Sequence, residues 1–187
     1  TLLSSSGDAE TMRQGLETIH ATSDRLLRFV DSFRAVTRIP APQKAPFYLS
    51  ELVAESLSLI PHEGIAVEVS IEPEDTMLYA DRALMSQVMV NLLKNAAEAL
   101  LAQDCDRKIT IRSTIDAEER IQIEITNSGK AIPAEVAENI FTPFFTTKTD
   151  GSGIGLAVSR QIVRLHGGSL RLKYNEKGMV TFAVVVE

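Results

Sequence analysis

The chain has 187 residues, of which 44% are hydrophobic, and a formal net charge of −6 at pH 7. This length allows one or two domains with a substantial core, and the acidic balance argues against nucleic-acid binding, which depends on basic surface. No apolar run approaches the roughly 20 residues of a membrane span, so we expect no membrane contact. The single cysteine, Cys105, excludes an internal disulfide framework and favours the cytoplasm. Because the first residue is Thr1, we expect a piece of a longer or processed protein.

The first predicted element is a helical arm over residues 9–38. Its stripe residues recur at alternating steps of three and four, and they are Leu16, Ile19, Ser23, Leu26, Val30, Phe33 and Thr37, with Leu27, Phe29 and Val36 beside them. So broad a stripe suits a helical hairpin or bundle, and by pattern alone it equally suits a helix packed on its own domain. Pro40, Pro42 and Pro46 then end the helix and form a short linker, which predicts a domain boundary between residues 1–40 and 41–187.

The rest of the chain alternates between helical and strand periodicity. The predicted helices are 50–59 with Ser50 as its cap, 81–102 with Asp81 as its cap, a short one at 134–139, and 154–166; the predicted strands are 65–71, 77–80, 107–115, 120–126, 169–174 and 179–186. The order indicates an α+β fold, a two-layer α/β sandwich with a mainly antiparallel sheet and helices on one face.

A glycine-rich segment precedes the helix at 154–166 and is a candidate phosphate site. Gly151, Gly153 and Gly155 bring no side chain, so they allow a close approach of the backbone to a ligand. A helix start presents free N–H groups to anions. Further donors come from Lys148 and from the hydroxyls of Thr146, Thr147 and Ser152. For the glycine spacing alone a flexible surface loop is favoured; the combination favours phosphate, although neither GxGxxG nor GxxxxGK[ST] fits.

The helix at 81–102 has a polar stripe on one side. Gln87, Asn91, Asn95 and Glu98 follow steps of four, four and three. Asparagine is a poor choice in mid-helix, where it has no cap to make. An amide oxygen can occupy one position around Mg²⁺ while phosphates and water occupy the others. A solvated face explains the stripe equally well by itself, and the glycine-rich segment favours the site.

A third candidate follows the strand at 120–126, in the sequence ITNSGKAIP over residues 125–133. Asn-Ser-Gly after a strand is a turn signal, which is one sufficient explanation. The functional alternative is that Asn127 presents its amide to the edge of a base while Gly129 lets a flat ring lie against the backbone.

These pieces, in this order, resemble the ATP-binding domain of two-component sensor histidine kinases, a Bergerat-fold (GHKL) ATPase. NLLKNAAEA matches the asparagine box, NSGKAIP the adenine-binding glycine box, FTPFFTTK the phenylalanine box, and GSGIGLAVSRQIVRLHGG the second glycine box. The resemblance covers about residues 46–187. Residues 9–38 resemble the second helix of the dimerisation domain, and the NAAEA and PFFTTK variants are most similar to nitrogen-regulatory and dicarboxylate-sensing kinases.

The resemblance implies a role for each candidate residue. Asn95 is expected to hold Mg²⁺, and Asn91 and Lys148 are expected to act on the ATP phosphates as the catalytic pair. The remaining nucleotide contacts that it implies are Asn127, Gly129, Ile132 and Thr181 around adenine, and Thr146, Thr147, Gly151, Ser152, Gly153, Gly155 and Leu156 in and after a lid over 141–153. The implied partners are ATP, a response-regulator receiver domain and a second copy bound through the arm, in what is expected to be the cytoplasmic part of a sensor.

Two departures from the family pattern affect the expected chemistry. The adenine-binding position usually carries Asp, whereas Asn127 can accept through its amide oxygen or donate to a guanine carbonyl. His20, His62 and His166 all lack the flanking residues of the phosphoacceptor box, so we expect transfer to a histidine outside this chain. The alternative function is a nucleotide-binding signalling module with little kinase activity. An ATP hydrolase is disfavoured because Asn91 stands where such relatives have a glutamate, and an amide cannot act as a general base.

Overall fold

The computed structural model describes residues 11–20, 22–23, 27, 30, 39–101, 106–148, 151–176 and 178–186. By internal contacts the chain divides into residues 1–38 and residues 39–187. In the first unit all the described residues are helical, and the side chains of Met12, Leu16, Ile19 and Leu27 are 62–69% exposed. The predicted stripe residues Leu26, Phe33 and Thr37 lie outside the described residues, as do Phe29 and Val36.

The second unit contains seven strands and four helices among its described residues. The strands are β1 (Ala45–Tyr48), β2 (Ala66–Ile71), β3 (Met77–Ala80), β4 (Lys108–Ile115), β5 (Ile121–Asn127), β6 (Ser169–Glu176) and β7 (Met179–Val186). The helices are α1 (Leu49–Ser58), α2 (Arg82–Leu101), α3 (Ala134–Ala137) and α4 (Gly155–Leu165). Within the part of the chain described, none of the helices combines the length and the apolar character that crossing a bilayer requires.

The main sheet has five strands in the order β2-β4-β5-β7-β6, and β1 pairs with β3 in a separate ribbon. Only the β2–β4 pair of the main sheet is parallel; the other pairs are antiparallel. Along β5 the residues Ile121, Ile123 and Ile125 are buried, and the residues between them are partly exposed. This alternation buries one face of the sheet beneath the helices, and the predicted two-layer α+β sandwich is confirmed.

Two local predictions at the start of this unit are wrong. Residues 45–48 form β1, so Pro46 lies in a strand rather than in a linker; a two-stranded ribbon has free edges, where proline is tolerated. Helix α1 begins at Leu49, so Ser50 is inside its first turn and is not the cap. The Leu49 N–H instead donates to the carbonyl oxygen of Thr76 at 3.0 Å, a backbone partner that the sequence pattern does not show.

Asp81 caps α2, as predicted, and also connects this helix to α4. Its Oδ1 accepts from the Leu84 N–H at 3.1 Å, and its Oδ2 accepts from the Gln43 N–H at 2.8 Å. The Asp81 N–H donates to His166 Nε2 at 3.0 Å, so Nδ1 carries the proton and donates to the Ile162 carbonyl oxygen at 2.8 Å. With both ring nitrogens used and 2% of its surface exposed, His166 fixes the end of α4 beside the start of α2.

We predict that Asp81→Ala lowers the free energy of unfolding by about 1 kcal/mol at pH 7, the usual cost of losing a helix cap. The N–H groups of Gln43 and Leu84 hold the pKa of Asp81 below its ordinary value. The cap therefore contributes fully above the unfolded pKa of about 3.9 and is lost as the pH falls through the lower folded pKa. Urea unfolding from pH 7 to pH 3 measures this, with the exposed Asp75→Ala as control; equal stability of Asp81→Ala and the unchanged chain at pH 7 would contradict it.

Candidate functional site

The polar stripe of α2 meets the first turn of α4. Asn91 Nδ2 donates to Ser159 Oγ at 3.0 Å, and Ser159 is 1% exposed. Gly155 opens α4, and a Cβ built on it would lie 2.1 Å from Asn91 Oδ1. Glycine is therefore required for α4 to begin this close to the Asn91 amide. Sequence analysis did not single out Ser159; the available signal was a hydroxyl one helical turn after the glycine, on the buried side of α4.

One turn further along α2, two oxygens contact the same cation. Lys148 Nζ donates to Asn95 Oδ1 at 3.1 Å and forms an ion pair with the Glu98 carboxylate. The side chains of Lys148 and Glu98 are 47% and 39% exposed, so this pair adds little to stability. Its importance is geometric, because Asn95 and Glu98 both direct an oxygen at the place that the ammonium occupies. The structure thus brings together the predicted residues Asn95 and Lys148, and adds Glu98.

The segment before α4 folds back on itself through a backbone contact. The Phe144 N–H donates to the Gly153 carbonyl oxygen at 2.8 Å, and the φ angles of these residues are 68° and 67°. A Cβ on Gly153 would lie 2.5 Å from the Phe144 carbonyl carbon, so this close contact requires a glycine. The Phe141 ring, 6.4 Å from the Phe182 ring and edge-on to it, anchors the start of the segment on β7.

The other predicted phosphate-site residues surround this turn. Thr146, Thr147 and Ser152 are exposed, and Leu156 is half-buried in the first turn of α4. Thr146 Oγ1 accepts from the Lys148 N–H at 3.1 Å and would lie 2.5 Å from a Cβ on Gly151. The hydroxyls and Lys148 therefore lie on a short, tightly turned segment next to α4.

The predicted base site lies at the end of β5. Asn127 is the last residue of this strand, continues the helix-covered row after Ile125, and is 4% exposed. No hydrogen bond joins its side-chain amide to another of the described residues. Gly129 is also buried, and Ile132 is half-buried in the loop that follows. A buried amide without a protein partner is costly unless a ligand or water satisfies it, which marks Asn127 as a binding group.

The structure separates Thr181 from these residues. Thr181 pairs with Thr126, and their hydroxyl oxygens are 2.9 Å apart. Neighbouring residues of a strand point to opposite faces, so Thr181 lies on the face away from Asn127. The residue paired with Asn127 is Val180, which the sequence analysis did not consider. The expectation that Thr181 and Asn127 line one pocket is therefore corrected by the register of β7.

Fold and site together define a nucleotide-binding α/β sandwich, in which asparagines of one helix meet the glycine-opened start of another. Residues 80–187 match the family described as histidine kinase-, DNA gyrase B-, and HSP90-like ATPase. The chain belongs to this family, and the resemblance inferred from the four motifs is confirmed.

Individual sensor kinases are similar over most of the chain. FixL of Bradyrhizobium diazoefficiens is 36% identical over 138 residues, which are 72% of this chain and 27% of FixL. The C4-dicarboxylate transport sensor DctB of Rhizobium meliloti is 31% identical over 182 residues, which are 95% of this chain and 29% of DctB. The chain thus spans less than a third of either relative.

Solved structures of the histidine kinase ThkA are similar as well. Its catalytic domain gives a TM-score of 0.67 at 36% identity, covering 77% of this chain and 95% of that domain. ThkA in complex with the response regulator protein TrrA gives a TM-score of 0.70 at 30% identity, covering 95% of this chain and 51% of that one.

We predict that Gly155→Ala weakens ATP binding by about tenfold or more, because the new Cβ displaces the Asn91 amide. Its thermal midpoint should change little, since alanine is the better helix former by about 1 kcal/mol and offsets the lost Asn91–Ser159 contact. Calorimetric titration with ATP measures the affinity. Gly15→Ala is the matched control because no atom lies within 4 Å of its Cβ position. Unchanged affinity in Gly155→Ala would show that Asn91 does not contact the nucleotide.

Proposed function

We propose that residues 39–187 are the catalytic domain of a sensor histidine kinase. The domain would bind ATP and transfer its γ-phosphoryl group to a histidine outside this chain, for relay to a response regulator. The observation that carries the proposal is the meeting of the Asn91 and Asn95 stripe with Lys148 and with the start of α4.

The phosphate end of the site consists of donors with few reactive groups. The first turn of α4 offers free backbone N–H groups and the positive end of its dipole, and Asn91 lies beside it. Lys148 supplies a mobile positive charge on the adjacent segment. Phosphoryl transfer depends mainly on positioning and on neutralising charge, so such a site can act while the acceptor comes from elsewhere. Asn91 positions and does not abstract a proton, which favours transfer over hydrolysis.

The residues around Asn95 fit a divalent cation. An ammonium group already contacts Asn95 Oδ1 and the Glu98 carboxylate, which shows that these oxygens converge on one positive charge. Mg²⁺ prefers oxygen ligands and keeps several of its waters, so one amide oxygen with nucleotide phosphates suffices. When bound, Mg²⁺ would neutralise phosphate charge. Lys148 would then leave Asn95 and contact the phosphates.

The base end of the site would be formed by Asn127, Gly129 and Ile132. The buried amide of Asn127 can accept from the exocyclic amine of adenine through its oxygen. The apolar partner Val180 adds no second polar group beside it. This end therefore contributes one hydrogen-bonding side chain and otherwise flat, apolar surface.

The arm is proposed to be the second helix of the dimerisation domain, with a second copy as its partner in the whole protein. Its exposed apolar side chains, among them Leu16 and Ile19, need a partner surface, because large exposed apolar patches mark interaction sites. The ThkA–TrrA complex supports a response-regulator receiver domain as the partner of the phosphorylated form.

We predict that Asn95→Ala weakens ATP binding about tenfold when Mg²⁺ is present and changes it little when EDTA replaces the metal. The reason is that only the metal-bound state uses the amide oxygen of Asn95. Fluorescence titration with a nucleotide analogue under both conditions measures the difference. Asn139→Ala is the control, since this exposed asparagine bonds only to Glu135 among the contacts given for it. Equal losses with and without Mg²⁺ would exclude Asn95 from the metal shell.

We predict that the chain incubated with γ-labelled ATP does not label itself, and that joining a helix with the phosphoacceptor box ahead of residue 9 produces label. The label should be acid-labile and alkali-stable, as phosphohistidine is. His166 is excluded as an acceptor because both of its ring nitrogens are bonded in the core. ATP binding without any label on the extended protein would favour the alternative, a nucleotide-binding module with little kinase activity. Label on His20 would make the arm itself the substrate.

A further inference from the structure

The loop between β5 and α3 is tied to β6 by one side chain. Asn175 Oδ1 accepts from the Ile132 N–H at 2.6 Å, and Asn175 Nδ2 donates to the Ile132 carbonyl oxygen at 2.7 Å. The orientation of the amide follows from its partners, because an N–H can only donate and a carbonyl oxygen can only accept. Both polar backbone groups of Ile132 are thus bound by a residue 43 positions later in the chain.

A β-bulge directs Asn175 towards this loop. Between Leu172 and Tyr174 the pairing of β6 with β7 shifts by one residue. Because side chains alternate along a strand, one extra residue reverses the face of the residues beyond it. Asn175 consequently pairs with Val180, and Val180 pairs with Asn127 on the next strand. The bulge therefore places Asn175 in the same helix-covered row as Asn127.

We propose that Asn175 is a positioning residue for the base site, holding the Gly129–Ile132 loop at a fixed separation from Asn127. This inference rests on the proposed function, since it takes Asn127 and Ile132 as the groups that contact adenine. Asn175 itself does not contact the base; it acts through Ile132. Its bidentate bond replaces the strand partner that this loop lacks, because residues 128–133 are outside any strand or helix.

Asparagine is the side chain that this position requires. Aspartate has the same shape and still accepts from the Ile132 N–H, but its second oxygen would face the Ile132 carbonyl oxygen, acceptor against acceptor. Leucine offers neither partner. A change of the amide therefore releases the loop without removing volume from the sheet, and this separates positioning from packing.

The test compares the unchanged chain with Asn175→Asp, using ATP, adenosine and inorganic triphosphate with Mg²⁺ as probes. ATP and adenosine should each bind about tenfold more weakly to the variant, the equivalent of about one hydrogen bond, while the affinity for triphosphate stays the same. Asn139→Asp is the matched control, because it makes the same change at an exposed asparagine that bonds to Glu135. Retained triphosphate binding also shows that the variant is folded.

A second measurement needs no nucleotide. Hydrogen exchange of the Ile132 amide should be slow in the unchanged chain and about tenfold faster or more in Asn175→Leu, which cannot accept the bond. A fast Ile132 amide in the unchanged chain would overturn the inference, as would ATP binding by the unchanged chain with equal adenosine affinity in Asn175→Asp. A parallel loss of triphosphate binding would mean a structural role only and would also overturn it. If the unchanged chain bound no ATP, the proposed function would fail and this inference with it.

Discussion

The close contact between Gly155 and Asn91 is the constraint on which the site depends. With 2.1 Å between a hypothetical Cβ and Asn91 Oδ1, α4 can begin here only because the residue has no side chain. Ser159 then bonds Asn91 from the same helix, and His166 connects the far end of α4 to the cap of α2. Two helices that are distant in sequence are thereby fixed at both ends of their contact. The phosphate end of the site is a consequence of this packing, since the start of α4 is brought to the polar stripe of α2.

The base end depends on the sheet in a different way. Along β5 the buried row runs Ile121, Ile123, Ile125 and then Asn127, so the last position exchanges an apolar side chain for an amide. A fully apolar row would be more stable, because burial of an unpaired amide costs free energy. The row therefore loses stability at the position where the chain turns into the ITNSGKAIP loop. Such a cost is expected at a binding group, and Asn175 limits it by fixing the loop beside it.

Much of this architecture could be predicted from the sequence, because period and motif order are local signals. The stripe on α2, the glycines before α4 and the alternation of β5 each depend on residues close together in the chain. The errors arise where a distant partner decides the outcome. β1 exists because residues 77–80 pair with it, and Leu49 needs no side-chain cap because Thr76 bonds its N–H. Thr181 was placed by motif, whereas its face is set by the register with β5. Asn175 gave no signal at all, since its role depends on a one-residue bulge and on a loop 43 positions earlier.

The contact of Lys148 with Asn95 and Glu98 has a consequence for the order of events at the proposed site. Two cations cannot share the same oxygens, so Mg²⁺ bound to Asn95 and the Lys148 ammonium exclude each other. Without nucleotide the ammonium is the better occupant, because its own backbone already lies on the adjacent segment and its partners are half-exposed. Arrival of phosphates changes the balance, since they attract the metal and offer Lys148 a new anion of higher charge. The segment around Lys148 is pinned at Phe141 and at the Phe144–Gly153 contact, so only the part between these points is free to follow the lysine. A short segment moving between two anions would thus link metal binding to closure over the phosphates.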